Sequence, residues 1–574
     1  MRSPVEVREP ILFLIPARGG SRRIPDKNLR TVAGIPLVGW AVRTARAAAA
    51  RLPGAEHAVV CSTDDAAIAD ASRVWGAETP FVRPARLADD SASSVDVALH
   101  AIDTLAEQDR RFAIVALVQP TSPLTDPHDL VAAIEAFLAG GRAGVVAVTH
   151  SHPADWHLGR VAGETADDLL LTGAFFVVDV DQLRASRTFV IPGVTRGSVI
   201  PPERAIDIDE PHDLVMAEAM SRARPMRELV LADHPIDGRS AFIIAEAGVN
   251  HDGRLAVAHR LIEAAAEAGA DAIKFQTFDP AALAMSGAPL AAYQSASQPP
   301  GEDQRSMLAR LSLAETDWPE LQAHAVALGL VFLSTPFDVG SADLLDRLDV
   351  PAFKVGSGEL TNHPFLRRLA GYGRPMLIST GMADMIEVAR ALDVVAGAGD
   401  PPIGLFHCVS AYPADPADAD LRAISTMRNA FRVPTGWSDH SLGIELPIAA
   451  AALGADLIEK HLTLDVTARG PDHRASLEPA VFRTMVTAVR QVTVALGDGQ
   501  KIPSEGERDV ARVARRSLVW GRSLETGRSI TDDDLVALRP GTGISPARLA
   551  DLVGQVTARP VVEGRLVDPA DVRS

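Results

Sequence analysis

Between about residues 223 and 505 one unit recurs eight times: a short apolar run, then polar residues, then a helix-forming stretch. The runs are Phe242–Glu246, Ala272–Gln276, Val331–Thr335, Ala352–Ser357, Met376–Thr380, Ile403–His407, Thr435–His440 and Leu457–His461. Runs this short and apolar read as strands buried on both faces. Leu255–Ala268, stopped by Gly269, is the clearest intervening helix. Eight such units predict a (β/α)8 TIM barrel, whose chemistry sits at the strands' C-terminal ends. The longest insertion, Asp279 to Asp317, follows the second strand and is expected to cover the mouth as a lid.

A barrel does not use up 574 residues. Residues 1–222 alternate short strands (Ile11–Ile15, Ala58–Val60, Ile114–Val118, Val145–Val148, Phe175–Val178) with Ala-rich helical stretches such as Val38–Arg51. This predicts a mainly parallel, Rossmann-like α/β sheet covered on both faces. Residues 506–574 read as a small mixed module, with a strand at Arg516–Trp520 and a capped helix at Thr531–Leu535, after a linker at Gly497–Gly506. The net charge of −18 opposes a non-specific nucleic-acid binder. The two cysteines, Cys61 and Cys408, exclude a disulfide framework. No apolar run nears the roughly 18 residues of a membrane helix and no secretory leader is visible, so a cytoplasmic protein without membrane partners is expected.

The predicted barrel strands end in groups a core does not want. They deliver Glu246, Lys274 and Gln276, Thr335, Lys354 leading to Ser357 and Glu359, Ser379, His407 leading to Ser410 and Tyr412, Ser438 to His440, and Glu459 to His461. A single strand lysine reads as a satisfied structural partner. Two lysines with hydroxyls from four strands at one mouth read as a site for a phosphate and a carboxylate. His440 and His461 close adjacent strands, about 4.8 Å apart, so both imidazoles could reach one metal ion; each could also be structural.

In the first domain, Pro16 to Asn28 follows the first strand with a glycine pair and Arg18, Arg22 and Lys27. Freed backbone N–H groups and clustered cations suit a triphosphate, although a solvated basic turn would look the same. Asp207 and Asp209 share one face of an extended chain and suit Mg²⁺, or Asp209 caps the helix that starts near Pro211.

This first domain resembles the CMP-sialic acid synthetases (acylneuraminate cytidylyltransferases) through IPARGGSRRIPDKN, STDD, RPARLADDSASS, LVQPTSPL and DIDEPHDL. The resemblance implies that Arg18, Ser21, Arg22 and Lys27 hold the CTP phosphates, with Asn28 and Arg83 near the nucleotide. It implies that Gln119 touches the sugar and that Asp207 and Asp209 hold Mg²⁺. One departure stands out: Leu170 occupies the place of the Arg that contacts the sugar acid in that family, and the stretch from about Ser151 to Asp168 is shorter than usual.

The barrel resembles the sialic acid synthases through IIAEAGVNHDG, IKFQT, FLSTPFD, FKVGSGEL, ISTGM, HCVSAYP, GWSDHS, IEKHLT and RGPDHRASL. That resemblance implies Lys274, Thr335, Lys354, Ser357, Ser379, Ser410 and Ser438 around phosphoenolpyruvate. It implies His440 and His461 on Mn²⁺ or Mg²⁺, and Gln276, Glu359, Tyr412 and Asp472 on an N-acyl hexosamine, with Glu246 near the reacting centre. The last module resembles the antifreeze-like (SAF) domain through Leu538 to Ile544, which implies a homodimer whose Arg539 reaches the partner's barrel. Together these imply a bifunctional enzyme that condenses phosphoenolpyruvate with the hexosamine and couples the nonulosonic acid to CMP. The alternatives are the same chemistry on a legionaminic- or pseudaminic-type precursor, or a first domain that only senses CTP or product.

Overall fold

The computed structural model describes residues 9–52, 54–89, 92–150, 169–291 and 302–573. It divides into two compact units, Met1–Ala495 and Leu496–Ser574. The short Ser151–Asp168 stretch and residues 292–301 of the expected lid lie outside the described residues.

The first unit opens with a six-stranded sheet: β1 (Ile11–Pro16), β2 (His57–Ser62), β3 (Ile114–Val118), β4 (Val145–His150), β5 (Leu169–Asp179) and β6 (Arg196–Val199). Their order across the sheet is β2-β1-β3-β5-β4-β6. β1 pairs in parallel with β2 and β3, and β4 with β6, but β5 runs antiparallel to both β3 and β4. The sheet is therefore mixed where the sequence predicts mainly parallel pairing. β5 is nearly continuously buried at its apolar end, so its residues carry no mark of direction. Apolar clusters on both faces of the sheet make it the core of this part of the chain.

All eight predicted barrel strands are present: β7 (Phe242–Gly248), β8 (Ala272–Thr277), β9 (Val331–Pro336), β10 (Phe353–Val355), β11 (Met376–Ser379), β12 (Ile403–Cys408), β13 (Thr435–Asp439) and β14 (Leu457–His461). They close in sequence order, each parallel to the next, and β7 pairs with β14. Alternation sends every second residue inward. Phe242, Ile244, Ala272, Val331, Leu333, Leu377, Phe406 and Leu457 form one buried cluster with Leu229, Leu231 and Ile236. The last three belong to an antiparallel hairpin, Val230–Leu231 with His234–Pro235, and its flanks. Phe242, Val331 and Leu457 open their strands, so the hairpin floors the barrel at its N-terminal end.

At the opposite end, Met307, Leu308 and Leu311 of the helix Gln304–Leu311 pack with Val249, just past β7. The helix Gln304–Leu311 of the insertion thus packs at the rim of the barrel's C-terminal end.

In the second unit, β15 (Ser517–Trp520) and β16 (Leu535–Leu538) pair antiparallel, and Leu518, Trp520, Ile530, Leu552 and Val567 fill a small core. The predicted helix at Thr531–Leu535 is a single 3-10 turn, Asp532–Asp534, that runs straight into β16. The exposed residues 497–504 precede a helix at Glu505–Ala514, so the stretch read as a linker is already helical at its end.

Candidate active sites

Inside the barrel the inward parity that carries the apolar floor continues toward the mouth as charge. β7 runs Phe242, Ile244, Glu246; β8 runs Ala272, Lys274, Gln276; β14 runs Leu457, Glu459, His461. Lys274 Nζ lies 2.6 Å from Glu246 Oε2 and 3.8 Å from Glu459 Oε1, and donates to Thr335 Oγ1 at 3.1 Å. Lys354 Nζ donates to Ser379 Oγ at 2.7 Å and to Glu459 Oε1 at 3.4 Å, and stands 4.9 Å from the Phe406 ring centroid. Ser438 Oγ donates to the same Glu459 oxygen at 3.0 Å. All four charged groups are buried. Glu459, to which the sequence reading gave no role, is therefore the hub of the cluster. By contrast Lys460 has the opposite parity, and it points away to Asp439 Oδ2 at 2.5 Å.

These groups set each other's charge. Burial pushes the Glu246 carboxyl up to about 7 in spite of Lys274. Burial also works against ionised Glu459, but Lys274 and Lys354 outweigh it and hold that carboxyl below its ordinary range. Burial depresses Lys354 below the ordinary lysine range; for Lys274 the two glutamates overcome burial and raise it. The two lysines thus face one carboxylate held ionised, Glu459, and one, Glu246, whose proton is nearly balanced near neutral pH, an arrangement suited to an anion.

Beside it, Ser357 Oγ accepts from the Gly381 N–H at 3.0 Å and lies 3.1 Å from Cys408 Sγ. A Cβ on Gly381 would collide with Ser410 Oγ, so Ser357, Ser410 and Cys408 crowd the Cα of Gly381. Gly248, at φ +52°, marks a second convergence. A Cβ there would lie 3.2 Å from Glu246 Oε1, 3.3 Å from Asp472 Oδ2 and 3.4 Å from Gln276 Nε2. Gln276 in turn donates to Glu246 Oε1 at 3.3 Å.

The two histidines also meet. Their ring centroids are 5.5 Å apart, and Tyr412 stacks on His440 at 4.1 Å. His440 Nδ1 contacts the Val409 carbonyl at 2.7 Å, which fixes that nitrogen as the donor and leaves Nε2, 3.0 Å from the Tyr412 hydroxyl, with its lone pair. Burial drives His440 down to about 4 and His461 well below its ordinary value, so both rings are neutral. His461 Nδ1 is buried without a hydrogen-bond partner, 3.9 Å from Asp472 Oδ2. Two neutral imidazoles, His461 with an unpartnered nitrogen and His440 with one held only by the Tyr412 hydroxyl, fit a divalent cation. Among the described residues no three His, Cys, Asp or Glu side chains form a ready-made metal cluster. Glu359 ends the turn Ser357–Glu359 and accepts from Asn362 Nδ2 at 2.7 Å. Arg539 is exposed in the second unit.

In the sheet domain a cavity of about 670 Å³ is lined by Arg18, Ser21, Arg22, Lys27, Asn28, Arg83, Gln119, Asp207 and Asp209, among others. Every residue proposed for the nucleotide thus faces one space. Lys27 Nζ donates to Ile208 O at 2.7 Å and to Asp209 Oδ1 at 3.1 Å, which ties the basic loop to the acidic pair. The helix Pro211–Ala223 is capped by Glu210, not Asp209, and Asp213 reaches back to accept from the Asp209 and Glu210 N–H groups at 2.9 and 2.7 Å. That frees the pair from capping. Burial, and then Asp209, raise the Asp207 carboxyl against the Thr121 hydrogen bond, and its Oδ1 is buried and unpartnered. Such an oxygen fits a cation. Two predicted contacts are structural as well: Asn28 Nδ2 donates to Arg18 O at 2.9 Å, and Arg83 donates to Ser62 Oγ at 3.1 Å and to Ser62 O. Leu170 is buried against the sheet and does not line the cavity.

A nucleotide-sized cavity on an α/β sheet and a cation-rich barrel mouth define a multidomain α/β transferase. Comparison with known families agrees: residues 12–153 match a cytidylyltransferase, 261–501 the NeuB family and 515–573 the SAF domain. Two relatives are each called N,N'-diacetyllegionaminic acid synthase. That of Legionella pneumophila is 43% identical over 319 residues, 55% of this chain and 90% of the relative. That of Campylobacter jejuni serotype O:2 is 40% identical over 331 residues, 57% and 99%. A pseudaminic acid synthase of C. jejuni serotype O:23/36 is 32% identical over 338 residues, 58% and 97%. The chain belongs to the NeuB family, with a cytidylyltransferase domain ahead of the barrel and an SAF domain after it.

Proposed function

We propose that the chain makes a nonulosonic acid and activates it: residues 223–505 condense phosphoenolpyruvate with an N-acyl hexosamine, residues 1–222 join the product to CMP, and residues 506–574 of each subunit of a homodimer bring Arg539 to the partner subunit's sugar site. The observation that carries the reading is the buried Lys274–Glu459–Lys354 bridge among strand-end hydroxyls. Phosphoenolpyruvate places its phosphate and carboxylate on Lys274, Lys354, Thr335, Ser379 and Ser438, with Ser357 and Ser410 beside Gly381. The hexosamine lies above, on Gln276, Tyr412 and Asp472. Carbon 3 of the enol attacks the open-chain aldehyde, water adds to carbon 2, and the tetrahedral centre expels inorganic phosphate. Glu246 is favoured over Glu359 as the proton carrier because its carboxyl sits near 7 and can exist in either state at neutral pH. A Mn²⁺ or Mg²⁺ ion on His440 and His461 would polarise the aldehyde oxygen.

In the first domain Arg18, Ser21, Arg22 and Lys27 take the CTP phosphates, while Arg83 and Asn28 hold the loop that presents them. Asp207 and Asp209 would hold Mg²⁺, whose charge would offset that of the pyrophosphate leaving group. The stronger similarity to the two legionaminic acid synthases than to the pseudaminic acid synthase favours a legionaminic-type precursor over a pseudaminic-type one. The test is mass spectrometry of products from phosphoenolpyruvate, CTP, Mg²⁺ or Mn²⁺ and a panel of amino sugars. A legionaminic acid and its CMP ester are expected; no condensation with any sugar overturns the reading. Buried Leu170 supports a second reading, in which the first domain binds CTP or product without turnover. Pyrophosphate release from CTP and purified acids separates the two.

A further inference from the structure

The first unit holds another large cavity, about 580 Å³, at the seam between the sheet domain and the barrel. Its walls come from the helix Leu37–Ala50, the start of the helix Pro127–Ala139, the chain after the helix Pro211–Ala223, and the barrel helices Met385–Ala396 and Arg422–Phe431. Neither proposed reaction uses it. Six arginines line it: Arg43, Arg51, Arg204, Arg224, Arg227 and Arg432. Four carboxylates share the wall: Asp126, Glu203, Asp393 and Asp400.

The pairing leaves a surplus. Arg204 meets Asp126 at 3.3 Å and Asp129 at 3.2 Å. Arg227 meets Asp400 at 2.9 Å, and Arg43 lies 4.0 Å from Asp393 and 5.0 Å from the Phe431 ring centroid. The other three have no carboxylate partner among the described residues. Arg51 donates to Ala47 O at 2.8 Å. Arg432 donates to Arg224 O, while its Nε is buried without a partner. The Arg224 guanidinium makes no hydrogen bond or ion pair among the described residues. Burial, then the charges of Arg43, Arg204 and Arg432, depress Arg224 against the pull of Asp126. Like charges crowded in a partly dehydrated space repel strongly. A network that served only to join the domains would match each guanidinium with an acceptor. Planar guanidinium forks facing one space match phosphate oxygens.

We infer that this cavity binds a phosphate-bearing small molecule, its anionic oxygens held by Arg224, Arg432 and Arg51. The site is independent of what either active site does. Both domains supply its walls, so a molecule held there touches both.

The test is equilibrium dialysis of the full chain with radiolabelled pyrophosphate, with inorganic phosphate and CMP as separate arms. The active sites bind some of these anions too, so the quantity read is the difference between variants. In the double variant R224Q/R432Q the pyrophosphate stoichiometry should fall by one site per chain. In Arg51→Gln, which breaks only a helix-end contact, that site should weaken at least tenfold. If all three anions lose a site, phosphate alone is recognised; if only CMP does, a nucleotide is, and the site stands in either case. Unchanged stoichiometry and affinity for all three anions in R51Q and in the folded double variant overturn it. If the double variant does not fold, the R51Q result decides.

Discussion

Glu459 joins two lysines 185 and 105 positions away in the chain, and carries no sign of it locally. Lys274 and Lys354 could be singled out because a lysine in an apolar strand demands an explanation. A glutamate beside another lysine and a histidine does not, since the pairing is made only when the barrel closes. Glu459→Gln should lower the barrel's stability by roughly 3–5 kcal/mol, the usual cost of breaking a buried pair. It should also raise the KM for phosphoenolpyruvate at least tenfold while leaving pyrophosphate release intact; thermal unfolding and separate assays of the two reactions check this. His251 supplies a pH signature. Burial against Phe275 lowers it from 6.5 to about 4. Its folded value is below its unfolded one, so the neutral ring's stability is whole above about pH 6.5 and is withdrawn as pH falls toward 4. Between pH 7 and 5 the wild type should lose roughly 2 kcal/mol more than His251→Asn, read from urea unfolding at each pH.

At the scale of elements, the barrel strands were legible because each combines an apolar run with an out-of-place polar end. The antiparallel β5 was not, because direction leaves no trace in a strand buried on both sides. Sheet strand β6 and the floor hairpin were missed for another reason. β6 is mostly exposed, and the hairpin strands are two residues each, too short for any periodicity. Yet the hairpin delivers Leu231, fully buried in the floor cluster. Leu231→Ala should cost about 2–5 kcal/mol of barrel stability. It should leave the KM for phosphoenolpyruvate within twofold, since floor and mouth lie at opposite ends of the strands. Thermal unfolding and steady-state kinetics distinguish this from damage to the site.

For the molecule as a whole, Arg539 is the test of whether the last module serves the synthase. If it does, Arg539→Ala should raise the KM for the amino sugar several-fold and leave the KM for phosphoenolpyruvate and the CTP reaction unchanged; equal kinetics for both substrates would reduce it to a surface residue. Sequence showed the order of the three domains because each carries its own signature. It did not show the arginine-lined seam, whose residues are scattered from Arg43 to Arg432 and meet only through docking of the two domains.

The hairpin floor has one more consequence. With its far end stoppered, the barrel is a cup and not a tunnel, and the lysines lie one pleat deeper than Gln276, His440 and His461. Cargo can come and go only over the rim. For the proposed condensation this means that the enol phosphate is loaded before the sugar, and a sugar already seated blocks its way. Initial-rate patterns should accordingly show an obligatory sequence, with an unreactive hexosamine analogue uncompetitive against phosphoenolpyruvate.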